Sequence, residues 1–173
     1  VARHYDASLA SDRGTGPSIV ISCVDSARSR SDLHRNLFQR GSRATYWLDL
    51  GNTESGAQVV LGQPKPYPLP ELQEWGRLPC VTELFPQLLE EQQEDDAPSC
   101  SVRISLQSQG LFVNDMAVRW ASQLLYELFQ GPIRQHGVLV NLSSKRSGPI
   151  EVSPAVWKRF GIRRRKPRGL QAE

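Results

Sequence analysis

A chain of 173 residues with 39% hydrophobic side chains is the size of one domain and carries enough apolar material for a core. It contains no run of about eighteen apolar residues, and its start, VARHYDASLASDRG, lacks a signal peptide's apolar region, so a cytoplasmic protein without a membrane partner is expected. The three cysteines, Cys23, Cys80 and Cys100, cannot all pair and show no CxxC spacing, which argues against a disulfide framework and a structural zinc site.

Residues 1 to 17 are polar, end in Gly14, Thr15, Gly16 and Pro17, and read as a flexible lead-in. Ser18 to Val24 is rich in β-branched and apolar residues and predicts a buried strand, after which Asp25 and Ser26 can cap a helix. That helix runs from Ala27 to Arg40, with Leu33, Leu37 and Phe38 on one face, and Gly41 stops it. Strands follow at Ala44 to Leu50 and Ala57 to Leu61. The Gly51, Asn52, Ser55 and Gly56 turn between them predicts a hairpin.

Gln63 to Pro79 holds five prolines and reads as an irregular loop. A helix is expected from Thr82 to Glu94, with Pro86 near its first turn, followed by the acidic EEQQEDDAPS. The clearest helix runs from Val113 to Phe129. Phe112, Met116, Trp120, Leu124 and Leu128 form one apolar row, and Val113, Ala117, Ala121 and Leu125 its neighbour, a stripe that suits the core or a homodimer. Gly131 and Pro132 end it; a strand from Gly137 to Leu142, a short element from Pro149 to Val152 and a helical turn from Pro154 to Phe160 complete the pattern. Strands separated by helices, with one hairpin, predict an α/β sandwich with a mixed sheet.

The formal net charge of +3 is concentrated at the end of the chain, where Lys158, Arg159, Arg163, Arg164, Arg165, Lys166 and Arg168 oppose only Glu173. Residues 161 to 173 therefore read as a basic, disordered tail, or as a contact for nucleic acid.

Among residues able to carry chemistry, Asp25 stands where a strand's carboxyl end meets a helix. It can cap that helix, or hold hydrated Mg²⁺ beside a nucleotide while Arg28 or Arg30 contacts phosphate. Strand alternation points Cys23 into the sheet, where a thiol is an inert small hydrophobe. Cys80 enters a helix whose dipole would lower its pKa, whereas Cys100 follows an acidic stretch that opposes thiolate formation; the two are evenly matched as nucleophiles. His4, His34 and His136 lack metal-ligand spacing, and neither GxGxxG nor GxxxxGK[ST] occurs.

Taken together, VISCVDSARSR, YWLDLGNTESGAQVVLGQ, LPCVTELFPQLL, EDDAPSCS, LFVND and HGVLVNLSS resemble the ThiF-related proteins of the PRTRC cassette, within the superfamily of ubiquitin-activating-type adenylating enzymes. The resemblance runs in order from about residue 18 to residue 160. It implies a Rossmann-like three-layer α/β sandwich of which residues 18 to 160 are the C-terminal part. The Gly-rich phosphate turn and the acidic ribose-binding residue of the nucleotide-binding unit would lie upstream.

The implied activity is ATP- and Mg²⁺-dependent adenylation of the C-terminal carboxylate of a ubiquitin-like or sulfur-carrier protein. On that resemblance Asp25 and Arg30 are catalytic, Asp25 carrying a transient Mg²⁺. Ser26 lies in the ATP-binding pattern beside Arg28, the candidate phosphate contact, and Cys100 is the acyl-accepting thiol. The alternative is a non-catalytic interaction module that contacts nucleic acid through its basic tail.

Overall fold

In a computed structural model, residues 17–24, 26–53, 55–66, 76–89 and 112–162 are described. Asp25, Cys100, His4 and the arginines of the basic tail lie outside them. The described chain forms strand β1 (Ile19–Ser22), helix α1 (Ala27–Phe38), strands β2 (Tyr46–Asn52) and β3 (Gly56–Gly62), a short helix α2 (Val81–Leu84) with a 3₁₀ turn at Pro86–Leu89, helix α3 (Val113–Gln130), strands β4 (Gln135–Asn141) and β5 (Arg146–Glu151), and helix α4 (Pro154–Arg159).

The five strands make one mixed sheet in sequential order, β1-β2-β3-β4-β5. β1 and β2 are parallel, joined by the α1 crossover, and every later neighbour is antiparallel. The expected hairpin is present as β2 and β3, with Leu48 opposite Leu61 and Leu50 opposite Val59. A second hairpin, β4 and β5, absorbs the short element expected at 149 to 152.

Residues opposite one another in a ladder share a face, and this assigns the helices to two layers. Trp47, Asp49, Val60 and Gly62 look toward α1 and α2, while Leu48, Leu50, Val59 and Leu61 look toward α3. On the first face Leu33 and Leu37 are buried, and Phe160, just past α4, meets Phe85 edge to face with centroids 5.4 Å apart. On the second, α3 buries Val113, Ala117, Ala121 and Leu124 against β2, β3 and β4, leaving Met116, Trp120 and Leu128 half-buried and Phe112 exposed. The seam is therefore the small-residue row with Leu124, because small side chains let the helix lie close to the sheet.

Gly62 shows a similar close approach. A Cβ there would stand 2.4 Å from the Cys80 Cα and 2.8 Å from the Pro79 carbonyl oxygen, so only glycine admits the segment that leads into α2.

Three expectations change. The helix expected from Thr82 to Glu94 is four residues of α2, a break at Phe85, and the 3₁₀ turn, with residues beyond Leu89 outside the described set. Pro86 has no N–H to continue an α-helix and disfavours helical geometry at Phe85. β1 is shorter than expected and is an edge strand among the described residues, with Ile21 56% exposed rather than buried. Cys23, expected to point inward, lies just past the strand and is exposed.

Candidate functional site

The carboxyl end of β1 and the middle of β2 meet the first turn of α1, and a buried polar network joins the three. Trp47 Nε1 donates to Ser22 Oγ at 2.7 Å, and Ser22 Oγ donates to Asp49 Oδ1 at 2.7 Å. Arg30 approaches the same oxygen through Nε at 3.4 Å and donates from Nη2 to the Val24 carbonyl at 2.7 Å. One guanidinium thus ties the end of β1 to the middle of β2. Asp49 has no solvent exposure, and its Oδ2 has no hydrogen-bond partner. Burial pushes its carboxyl above the usual range, while the Arg30 charge and the Ser22 hydrogen bond hold it partly back.

Ser26 occupies the N-cap of α1, and its Oγ accepts from the Ser29 N–H at 3.1 Å. The side chain proposed to bind nucleotide therefore also satisfies one of the helix's first donors. Arg28 is exposed on the first turn, whereas Arg30 is turned inward. Arg30, Leu33 and Leu37 follow helical spacing, so Arg30 belongs to the stripe that faces the sheet.

On the opposite face, a cleft of about 390 Å³ opens between the ends of β1 and β2 and the first turns of α3. Among the described residues Cys23, Val24, Leu50, Gly51, Asn52, Asn114, Ala117 and Val118 line it, and none of these eight carries a charged side chain. The Asn52 side-chain amide donates to Asn114 Oδ1 across its mouth. Partial burial and the Asp49 charge raise the Cys23 pKa, which keeps this thiol protonated at neutral pH.

Cys80 is far from an activated nucleophile. It is fully buried, and its pKa is raised well above the ordinary thiol value by burial and then by the charge of Glu83. The expected lowering by the helix dipole is overturned, because a one-turn helix supplies little field and desolvation opposes the thiolate. Cys80 is instead a core residue under Gly62.

The two described histidines, His34 and His136, serve packing. His34 shares a 2.8 Å hydrogen bond with Thr82 Oγ1, joining α1 to α2. His136 is buried; its Nδ1 lies 2.9 Å from the Leu61 carbonyl and its Nε2 accepts from Trp157 Nε1 at 2.8 Å. Among the described residues no group of three His, Cys, Asp or Glu side chains is placed to hold a metal ion.

The structure thus gathers Ser26, Arg28 and Arg30 at one strand-to-helix junction, with Cys23 beside it, and sets Cys80 apart in the core. Asp25 and Cys100, the two remaining candidates, lie outside the described residues. Sequence reasoning passed over Asp49. Its signal was available: one carboxylate inside the apolar run YWLDL must find a buried partner, and Arg30 is the cation on the facing helical stripe.

Comparison with protein-family models gives no match for this chain, and comparison with curated proteins gives none either. Among the described residues no helix is long and apolar enough to cross a membrane.

Proposed function

We propose that this chain is the C-terminal portion of a ThiF-type, Rossmann-like adenylation domain, acting in the cytoplasm on the C-terminal carboxylate of a ubiquitin-like or sulfur-carrier protein. The observation that carries the reading is the β1–α1–β2 unit: a parallel crossover whose strand end passes through the Asp25 position into a helix capped by Ser26, with Arg28 exposed on its first turn. Ligands of open α/β sheets bind at such carboxyl ends, and helix amino termini favour phosphate.

In this reading ATP supplies the adenylyl group: the carboxylate attacks the α-phosphorus and pyrophosphate leaves. Asp25 would hold the Mg²⁺ that offsets the triphosphate charge, and Arg28 would contact phosphate. Arg30, five positions after Asp25, has its guanidinium on Asp49 and the Val24 carbonyl, an arrangement that supports a positioning role for the strand end that precedes Asp25. The Gly-rich phosphate turn is not among the motifs of this sequence, so the domain requires a nucleotide-binding unit to complete it. Cys100 is the proposed acyl acceptor.

The test is carboxylate-dependent exchange of labelled pyrophosphate into ATP, measured on the full-length protein that carries this chain. Exchange abolished by Asp25→Ala and weakened by Arg28→Ala is the expected result. Exchange indifferent to Asp25→Ala would remove the assignment.

A second reading rests on charge. Lys158 and Arg159 are exposed in the last turn of α4, and the sequence continues into RRRKPR. A non-catalytic module that contacts nucleic acid through this basic end would bind duplex DNA with a steep salt dependence, lost on truncation after Phe160. Binding that ignored salt, or survived the truncation, would exclude it.

A further inference from the structure

A buried ion pair is a poor source of net stability, because both charges give up their water. Arg30 and Asp49 are such a pair, with side chains 6% and 0% exposed. Their geometry does not favour mutual attraction either. A guanidinium that serves its carboxylate alone commonly docks two N–H groups on two oxygens. Here Arg30 Nε reaches Asp49 Oδ1 at 3.4 Å, and Oδ2 has no partner. The shorter bond, 2.7 Å, runs from Nη2 to the Val24 carbonyl.

Asp49 Oδ1 is itself fixed from two strands. Ser22 stands opposite Asp49 in the β1–β2 register, and its hydroxyl donates to Oδ1 while accepting from Trp47 Nε1. Arg30 bridges this oxygen to a carbonyl two residues beyond the end of β1, outside the strand ladder. The contacts from Trp47 through Ser22, Asp49 and Arg30 therefore end on main chain, one residue before Asp25. Ser26, one residue after it, is held from α1: its Oγ accepts the Ser29 N–H at 3.1 Å and its carbonyl the Arg30 N–H at 3.1 Å. Both chain neighbours of Asp25 are thereby anchored, one by the Asp49 network and one by the helix.

We propose that Asp49 is a positioning residue of the adenylation site: it aims the Arg30 guanidinium at the Val24 carbonyl and so holds the strand-to-helix turn that carries Asp25. The consequence for chemistry rests on the adenylation reading, whereas the tether itself does not. A carboxylate that receives a metal ion is effective when its place is set beforehand, and outer partners of this kind are worth roughly 10- to 100-fold in metal affinity.

The experiment is a double-mutant cycle of Asp49→Asn and Arg30→Met in the full-length protein that carries this chain, with two readouts. Hydrogen exchange followed by mass spectrometry reads the tether without any ligand. In each single variant the amides of residues 29 and 30, both bonded to Ser26, should exchange at least about tenfold faster, with β3 and β4 unchanged. Pyrophosphate exchange reads the site. The Mg²⁺ concentration for half-maximal rate should rise at least about tenfold in each single variant. It should rise no further in the double variant, because Asp49 acts through Arg30. Asp25→Ala separates this inference from the adenylation reading. If that variant leaves pyrophosphate exchange intact, the adenylation reading falls and hydrogen exchange alone decides the tether. If Asp25→Ala abolishes the reaction while Asp49→Asn keeps the wild-type Mg²⁺ requirement, the positioning role falls alone. Additive effects in the double variant would also overturn it. So would a loss of protection spread through β3 and β4, because Asp49 would then serve the fold as a whole and not this turn.

Discussion

Acid should destabilise this fold through His136. The ring is buried with both nitrogens engaged, Nδ1 toward the Leu61 carbonyl and Nε2 accepting from the Trp157 indole, a pattern that only the neutral ring satisfies. Burial lowers its pKa from 6.5 to about 4, against a small upward pull from the Leu61 carbonyl. The unfolded chain takes up this proton near pH 6.5 and the folded chain only near pH 4. Between those values the unfolded state binds more protons, and stability falls as the pH falls, levelling off below about 4. The linkage integral gives a loss of about 2 kcal/mol at pH 5 and about 3 kcal/mol at pH 4, relative to neutral pH. Asp49 works in the opposite sense. Its carboxyl pKa is raised on folding, so its contribution favours the folded state on acidification. The quantity to read is therefore the difference between wild type and His136→Gln, taken from urea unfolding at pH 7, 5 and 4. The wild type should lose its advantage over the variant by the stated amounts, and the His136 ring should show no NMR titration near pH 6.5. A constant difference across that range, or a ring that titrates near 6.5, would refute the reasoning.

Gly62→Ala should lower unfolding free energy by about 3 kcal/mol, since its Cβ would collide with backbone at Cys80 and Pro79 that has no room to retreat; urea midpoints measure it. In Asp49→Ala the guanidinium of Arg30 is left buried without its anion, a loss of about 3 kcal/mol, whereas the double variant with Arg30→Met should recover part of that loss in the same assay. Under native conditions iodoacetamide should modify Cys23 slowly and leave Cys80 untouched, with Cys80 reacting only in denaturant; native modification of Cys80, located by mass spectrometry, would contradict its burial.

Local pattern revealed most of the elements because their causes are local. The α3 stripe, the β2 and β3 hairpin, and the stop at Gly131 follow from side-chain period and turn chemistry within a few residues. The break in the helix after Leu84 is also written locally, in Pro86, which outweighs the helical pattern of the residues around it. The Asp49 and Arg30 pairing was half visible: a carboxylate in an apolar strand and an arginine in a helical stripe each demand a partner, though nothing local says that they find one another.

Other features arose only from long-range packing. IVIS has the composition of an interior strand, and its place at the edge depends on which strands the rest of the chain brings beside it. Cys80 stands before a helix in the sequence, yet its chemistry follows from lying beneath Gly62, eighteen residues away in the chain, where desolvation outweighs any helix field. The cleft at the end of β1 likewise exists only because α3, nearly a hundred residues downstream, crosses the neighbouring strands and stops short of this one. Periodicity specifies which face of an element is apolar; the identity of what covers that face is set by contacts distant in sequence.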